Sequence, residues 1–269
     1  MSTPSILSCP ICHGPLIQNG KAWQCNHRHH FDQAKEGYVN LLAVQFKHSK
    51  NPGDNATMLK ARQLFLQQGY YQPLADALIQ MAATAKSYHQ ILDMGCGEGF
   101  YTDQLRQLDA QVWGLDIAKR GIQQAAKRYP ECRFVVASNQ RLPFADQSLD
   151  LITRIFAPQD DSQVMRCLRP GAALITVVPG AWHLKQLRQY IYPELRAHVD
   201  VPETLPGLTH QQSQTICYPM TLDANSREQL MDMTPFAWKL TRDTRQQFIE
   251  DKSPVDAQFT LHHYTRDAH

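Results

Sequence analysis

Short apolar runs alternate with amphipathic stretches through the middle of the chain. The apolar runs predict strands at residues 90–93, 112–116, 133–136, 149–155 and 172–178. The amphipathic stretches predict helices at residues 101–108 and 119–129. Strands that alternate with helices are typical of a parallel sheet covered by helices, so we expect an α/β fold from residue 88 onwards.

The regions on either side of this alternation have patterns of their own. Helices are predicted over residues 56–68 and 71–85, with apolar faces formed by Leu64, Phe65, Leu74, Leu78 and Met81. Turn-forming residues from His48 to Asp54 indicate a linker that ends in a helix N-cap at Asp54 or Asn55.

The last third of the chain predicts helices at residues 183–191 and 227–232 and strands at residues 213–222 and 258–264. The last of these strands alternates apolar and polar residues with a period of two, which indicates an antiparallel end to the sheet.

Charge and hydropathy exclude some classes of protein. The chain has 269 residues, with 27 lysines and arginines against 25 aspartates and glutamates, a formal charge of +2. This is far from the strongly basic balance that would by itself indicate a nucleic-acid-binding protein. No apolar run approaches the ~18–20 residues of a membrane-spanning helix, and residues 1–8 lack a secretory pattern, so we expect a cytoplasmic protein without a membrane segment.

Three of the seven cysteines lie in the first 25 residues, in a pattern typical of a metal site. Cys9-Pro-Ile-Cys12 and Cys25-Asn-His-Arg-His29 bring two ligand pairs to two tight turns, as tetrahedral zinc requires. Four protein ligands leave no position for water, so the site would be structural. His29 is the favoured fourth ligand from its spacing, and the alternatives are His13, His27 and His30.

The most informative stretch is Ile91-Leu-Asp-Met-Gly-Cys-Gly-Glu-Gly-Phe100, a strand followed by the three glycines Gly95, Gly97 and Gly99. Such glycines let the backbone approach a ligand closely. A second strand ends at Asp116, which is placed to accept hydrogen bonds from both ribose hydroxyls of a nucleoside. Nicotinamide dinucleotide and S-adenosylmethionine both fit this pattern. Asp93 favours S-adenosylmethionine, because a carboxylate would repel a pyrophosphate but attract an ammonium group and a sulfonium.

Two further residues, Ser138 and Asn139, end the third strand, where they would border the adenine.

These motifs together resemble the RlmA-type 23S ribosomal RNA guanine-N1 methyltransferases, over nearly the whole chain. The resemblance rests on Cys9-Pro-x-Cys12, Cys25-x-x-x-His29-x-Phe-Asp32, Ala34-Lys-Glu-Gly-Tyr-Val-Asn-Leu-Leu42, Asp93-x-Gly-Cys-Gly-Glu-Gly99, Arg141-Leu-Pro-Phe144, Pro179-Gly180, His183-Leu184 and Met233-Thr-Pro-Phe-Ala-Trp238. It implies a class I S-adenosylmethionine-dependent methyltransferase, with a Rossmann-like sheet that is mostly parallel with an antiparallel end, preceded by a small zinc-binding domain.

The resemblance also implies site residues and partners. It implies zinc ligands at Cys9, Cys12, Cys25 and His29. It implies cofactor contacts from Tyr71, Glu98, Gly99, Phe100, Tyr101, Asp116 and His183. The implied target is N1 of a guanine in a hairpin of 23S rRNA, in the macrolide region that links such enzymes to antibiotic response, and the implied assembly is a homodimer. The expected domains are residues 1–46 for zinc and RNA recognition, 47–87 for a linker with helices, and 88–269 for methyl transfer.

Methylation at N1 requires an extruded guanine and loss of the N1 proton. Phe156 and Pro158 are the candidates to sandwich the base, and Asp160, Asp161 and His183 are the candidates to accept the proton. Arg154 could hold the guanine O6 or a phosphate, or act as a salt-bridge partner. The chain departs from the family pattern after Pro158, where Gln159-Asp-Asp161 replaces a sequence that begins with cysteine.

Basic residues in three places could contact RNA phosphates. They are Lys47, His48 and Lys50 in the linker; Lys35, His27, Arg28 and His30 in the metal region; and Lys119, Arg120, Lys127 and Arg128 on one helix. Two other functions also fit the sequence. One is a methyltransferase acting on a small molecule such as a quinone or a drug, and the other is a non-catalytic zinc-dependent RNA-binding protein.

Overall fold

A computed structural model describes residues 6–42, 56–83, 87–157 and 161–268 of the chain. In this part of the chain the strands are β1 (Ile17–Asn19), β2 (Ala22–Gln24), β3 (His30–Asp32), β4 (Val39–Asn40), β5 (Gln90–Met94), β6 (Gln111–Asp116), β7 (Arg133–Val136), β8 (Leu149–Ile155), β9 (Leu168–Pro179), β10 (Leu208–Met220) and β11 (Val255–Arg266). The helices are α1 (Ala56–Gln67), α2 (Gln72–Ala83), α3 (Phe100–Gln104), α4 (Lys119–Arg128), α5 (Asp161–Cys167), α6 (Lys185–Gln189), α7 (Ala224–Asp232) and α8 (Arg242–Glu250).

Within the described residues, eight strands form one central sheet in the order β10-β11-β9-β8-β5-β6-β7-β4. The strands from β9 to β4 run parallel to their neighbours, and β11 pairs antiparallel with both β9 and β10. The central strands β5, β6 and β8 are almost entirely buried, because helices cover one face of the sheet and the amino-terminal residues together with α5 cover the other. The predicted α/β fold with an antiparallel end is therefore confirmed.

Chain order reverses between β5 and β8, where the next strand along the chain, β6, pairs with the other side of β5. In open parallel sheets, ligands bind beyond the carboxyl ends of the strands at such a reversal. The turns that follow β5, β6 and β8 meet at this point, and they hold the glycine loop, Asp116 and Phe156.

A second, three-stranded antiparallel sheet in the order β1-β2-β3 forms the amino-terminal ribbon, which we define as residues 6–42. The ribbon is attached to the large sheet. Ser8 N donates to Pro143 O at 2.9 Å, and Ala145 N donates to Ile6 O at 2.8 Å. The strand β4 pairs parallel with β7, so the ribbon itself supplies one edge of the central sheet. Its buried residues Leu7, Leu16 and Trp23 share one core with side chains of β5, β6 and β7.

Most predicted elements are confirmed, with small shifts at their ends. The helices α5 and α8 were not predicted. In α8 a single side chain, Phe248, is buried, so the segment has no apolar stripe to find. The linker at residues 48–54 and the N-cap at Asp54 or Asn55 lie outside the described residues. Among the described helices, none is both long and apolar enough to cross a membrane.

Candidate functional site

The ribbon brings three cysteines and one histidine together. The Sγ atoms of Cys9, Cys12 and Cys25 and a ring nitrogen of His29 all lie within 4.8 Å of one another. The Cys12 and Cys25 sulfurs are 3.5 Å apart, and His29 Nδ1 lies 3.3 Å from Cys25 Sγ and 3.5 Å from Cys9 Sγ. A Zn–S bond of about 2.3 Å gives tetrahedral ligands roughly 3.8 Å apart, so these distances fit a zinc ion at the centre.

The structure also distinguishes among the candidate histidines. His13, His27 and His30 are exposed, whereas the His29 ring is half-buried against the cysteines. His29 is therefore the histidine that completes the cluster. The donor set of three thiolates and one imidazole leaves no open coordination position, as is typical of a structural zinc site.

The glycine loop at residues 95–99 connects β5 to α3. Gly95, Gly97 and Gly99 have φ angles of +80°, +56° and +88°, a left-handed backbone that L side chains rarely adopt. A Cβ on Gly95 would lie 2.5 Å from Ala157 Cβ, and a Cβ on Gly99 would lie 2.8 Å from Ala125 Cβ. The loop is therefore both strained for other residues and closely packed.

Two carboxylates lie close to the loop, at the ends of β5 and β6. Asp116 accepts hydrogen bonds from Gly97 N at 2.9 Å and from Ala118 N at 2.7 Å. Asp93 is buried and accepts from the hydroxyls of Thr102 at 2.6 Å and Thr153 at 3.1 Å. Burial raises the pKa of Asp93 to about 6, although both hydroxyls oppose the shift. A positive charge placed beside this carboxylate would stabilise its ionised form and lower its pKa.

Other predicted cofactor residues border the same loop. The Asn139 amide nitrogen lies 3.9 Å from where a Gly95 Cβ would be. Ser138 follows β7 beside it, and its hydroxyl accepts from Gln140 N at 3.2 Å. Phe100 and Tyr101 begin α3 and contact each other with ring centres 5.0 Å apart.

Glu98 and Arg128 form an ion pair behind the loop. Glu98 is 3% exposed, and its Oε2 lies 3.2 Å from Arg128 Nη1. Burial raises the pKa of Glu98, and Arg128 opposes the shift. Arg128, predicted as an RNA contact, is thus half-buried and paired, whereas Lys119, Arg120 and Lys127 on the same helix are exposed.

An aromatic cluster lies beside the loop and joins three predicted site residues. Phe259, fully buried on β11, has its ring centre 4.6 Å from His183, 4.9 Å from Tyr71 and 5.7 Å from Phe156. Phe259 was not singled out from the sequence. Its strand was predicted, but antiparallel pairing with β9 is what brings it to the site.

His183 is buried in this cluster, which disfavours its charged form. Burial lowers its pKa to about 3, and its Nδ1 accepts a hydrogen bond from Gln258 N at 3.2 Å. A group with so low a pKa is a weak proton acceptor at neutral pH.

Phe156 is half-exposed, with 47% of its surface accessible, and it has φ of +54°. A left-handed backbone at a bulky residue is strained, and such strain is found mainly at functional sites. The next residue, Ala157, contacts the glycine loop, so Phe156 lies between this loop and solvent.

Arg154, at the end of β8, is committed to carboxylates. It is 5% exposed, and its guanidinium lies 2.8 Å from Glu203 Oε2 and 4.0 Å from Asp161 Oδ1. This agrees with the salt-bridge alternative for Arg154. Pro158, predicted to sandwich the base, and Asp160, predicted to accept the proton, lie outside the described residues. The basic residues Lys47, His48 and Lys50 lie outside them as well.

Arg62 was not singled out from the sequence, because it belongs to no motif. It projects from α1 toward the glycine loop, and its Nη2 donates to Met233 O at 3.3 Å. Its Nη1 lies 3.8 Å from where a Gly97 Cβ would be.

Comparisons with known proteins assign both parts of the chain. A family model described as "RlmA, N-terminal", a zinc ribbon, matches residues 7–50, and one described as "Methyltransferase domain" matches residues 91–171. The chain is 32% identical over 265 residues to "Putative 23S rRNA (guanine-N(1)-)-methyltransferase YxjB" of Bacillus subtilis, with 93% of each chain covered.

Two further likenesses are more distant. The chain is 29% identical over 242 residues to a "23S rRNA (guanine(748)-N(1))-methyltransferase" of Streptomyces fradiae, with 86% of this chain and 85% of the relative covered. The crystal structure of the YcgJ protein from Bacillus subtilis aligns with a TM-score of 0.48 at 17% identity, covering 72% of this chain and 98% of that one.

Proposed function

This chain belongs to the family of 23S rRNA (guanine-N1)-methyltransferases, and we propose that it transfers a methyl group from S-adenosylmethionine to N1 of a guanine in a hairpin of 23S rRNA. One observation supports an RNA target above all: the Cys3His ribbon is built into the same sheet that carries the glycine loop. A methyltransferase acting on a small molecule has no need of such a ribbon.

The cofactor would lie between the glycine loop and the aromatic cluster. Asp116 would accept the ribose hydroxyls, Ser138 and Asn139 would border the adenine, and Asp93 would order the loop around the positively charged methionine end. Tyr71, Glu98, Phe100, Tyr101 and His183 would complete its walls. Bound there, S-adenosylmethionine supplies an electrophilic methyl group.

The guanine would stack on Phe156, which is half-exposed and precedes Ala157 next to the glycine loop. Extrusion of a base costs a few kcal/mol, which stacking on an aromatic ring recovers in part. We propose that Pro158 covers the other face of the base. The strained backbone at Phe156 holds the ring outward, where a nucleotide can reach it.

Loss of the N1 proton needs an acceptor near the stacked base. We propose Asp160 for this role, because the other two candidates are committed elsewhere. Asp161 lies by the Arg154 guanidinium, and His183 has a strongly lowered pKa. His183 would instead act as a neutral wall of the site.

The exposed basic residues Arg28, Lys35, Lys119, Arg120 and Lys127 would contact RNA phosphates, together with His27 and His30 of the ribbon. These contacts would make affinity fall with salt but would not select a sequence. We further propose a homodimer in the cytoplasm, with residues 1–46 as the RNA-recognition module.

The test is transfer of labelled methyl to unmodified 23S rRNA, followed by nuclease digestion and mass identification of the nucleoside. We expect 1-methylguanosine, abolished by Gly97→Asp and weakened by Cys9→Ser. Gly171→Asp is the matched control, since Gly171 also has positive φ but has nothing within 4 Å of its Cβ position and lies outside the ribbon. Unlabelled RNA from a protein that still binds cofactor would contradict the proposal in favour of a small-molecule substrate or a binding role.

A further inference from the structure

We propose that Arg62 and the Tyr101 hydroxyl form the subsite that binds the α-carboxylate of the cofactor's methionine end. This inference rests on the proposed function and extends it to a residue that no motif indicates. The ligand class is a free α-amino acid carboxylate attached to a nucleoside.

The charges around the glycine loop create the need for such a subsite. Asp93, Glu98 and Asp116 surround the loop with negative charge, which suits a sulfonium and an ammonium group but repels a carboxylate. A carboxylate bound here therefore requires a cation beside it. Arg128 is taken by Glu98, and Arg62 is the guanidinium that reaches Gly97.

The backbone of the loop offers little to replace this cation, because four of its five amides are already in use. Gly95 N and Cys96 N donate to Leu115 O at 2.7 and 3.0 Å, and Gly97 N donates to Asp116. Gly99 N donates to Cys96 O at 3.0 Å. The helix that follows, α3, is only five residues long, so it adds little of the field of a helix end.

The Tyr101 hydroxyl supplies an independent indication. This oxygen is buried and has no hydrogen-bond partner among the residues that the structure describes. A buried hydroxyl without a partner costs free energy, and such groups indicate a missing ligand or water. Burial raises the pKa of Tyr101, and the charge of Arg62 opposes this shift, so the guanidinium lies within electrostatic range of the hydroxyl.

Arg62 is also well anchored for this task. It lies on α1, which packs against α7, and its Nη2 donates to Met233 O at 3.3 Å. One side of the guanidinium is thus fixed by the Met233 carbonyl, while Nη1 is directed to the loop. The first residue of the Met233–Trp238 motif thereby has a role, because its carbonyl positions Arg62.

Calorimetry with two ligands tests the subsite. S-adenosylmethionine and decarboxylated S-adenosylmethionine share the sulfonium and the ammonium group and differ only in the carboxylate. We expect Arg62→Ala to weaken binding of S-adenosylmethionine about ten- to thirtyfold, the effect of one charged hydrogen-bonded contact. Binding of the decarboxylated ligand should change less than about twofold. Tyr101→Phe should show the same selectivity with a smaller loss, and Arg62→Lys should restore part of the affinity.

Lys60→Ala is the matched control, because Lys60 is an exposed cation on the same helix, and it should leave both affinities unchanged. Equal weakening of both ligands by Arg62→Ala, or no weakening of either, would overturn the subsite. Wild-type protein that fails to bind S-adenosylmethionine at all would instead contradict the proposed function, so the two failures are distinguishable.

Discussion

Phe156 combines three properties that core residues rarely share: a left-handed backbone, a half-exposed aromatic ring, and a neighbour, Ala157, that contacts the glycine loop. Simple burial of an apolar side chain would explain none of them. A ring held outward in this way is suited to stack against a planar ligand, and its removal should therefore affect RNA more than cofactor.

We expect Phe156→Ala to lower kcat/KM for RNA methylation about ten- to a hundredfold, since stacking of a base on an aromatic ring contributes about 1–3 kcal/mol. The dissociation constant for S-adenosylmethionine should stay within about twofold, because the ring faces solvent beyond the loop. Phe156→Trp keeps the stacking surface and serves as the control. Equal losses in the two variants would show that the ring has no stacking role.

The buried Asp93 gives the stability of the unliganded protein a specific pH dependence. Its pKa is about 6 in the folded protein, against an ordinary value of 3.8. The folded state therefore binds a proton more readily than the unfolded chain. The contribution of Asp93 to stability is full at low pH and is lost as the pH rises through about 6.

Asp93→Asn removes this dependence. The free energy of unfolding of the wild type, measured relative to that of Asp93→Asn, should rise by about 2 kcal/mol between pH 7 and pH 4.5. Urea unfolding of both proteins at the two pH values measures it, and the other titrating groups cancel in the difference. A difference that stays constant between the two pH values would mean that burial does not raise the pKa of Asp93.

At the scale of elements, the glycine loop combines backbone strain with close packing, and two glycines separate these effects. Gly95 has φ of +80°, and a Cβ added there would clash with Ala157 Cβ. Gly20 in the ribbon has φ of +60°, and a Cβ added there would meet open space. A substitution at either glycine places a Cβ on a left-handed backbone, which costs about 1–2 kcal/mol.

Gly95→Ala should therefore destabilise the protein by about 1–3 kcal/mol more than Gly20→Ala does, the usual cost of overpacking. Thermal or urea unfolding of the two variants measures this difference. Gly95→Ala should also displace Phe156 and reduce methylation, whereas Gly20→Ala should do neither. Equal destabilisation would indicate that the 156–157 segment moves aside at no cost.

The elements that could be predicted from the sequence are those whose pattern is local. The strands β5 to β9 are short apolar runs, the glycine loop carries its own turn signal, and the ligands Cys9, Cys12 and Cys25 are close in sequence. Long-range contacts gave no such signal. Neither Arg62 on α1 nor Phe259 on β11 could be assigned to the site before the fold brought them there.

At the scale of the whole molecule, the ribbon and the large sheet form one structure. The ribbon is part of the central sheet, because β4 pairs with β7 and Leu7 shares a core with Phe144. Loss of the metal should therefore affect more than RNA recognition, because zinc supplies much of the folding free energy of so small a unit.

Chelation of zinc should raise hydrogen exchange in β1 to β4 and extend the increase to the β7 edge, whereas β5 and β8 in the sheet centre should stay protected. Exchange followed by mass spectrometry of proteolytic fragments gives this resolution. Cys9→Ser should reproduce the pattern, and Cys217→Ser, which changes an exposed cysteine outside the cluster, should not. An increase in exchange confined to the three-stranded sheet would show that β4 stays paired with β7 without metal.

The pairing of β4 with β7 also bears on how the chain is made. Val39 pairs with Val135, so nearly a hundred residues separate the two partners along the chain. During synthesis the amino-terminal segment leaves the ribosome well before its partner strand exists. A metal-bound ribbon can fold in that interval and hold β4 ready as a template, so zinc taken up early would decide how soon β7 finds its edge partner in the nascent enzyme.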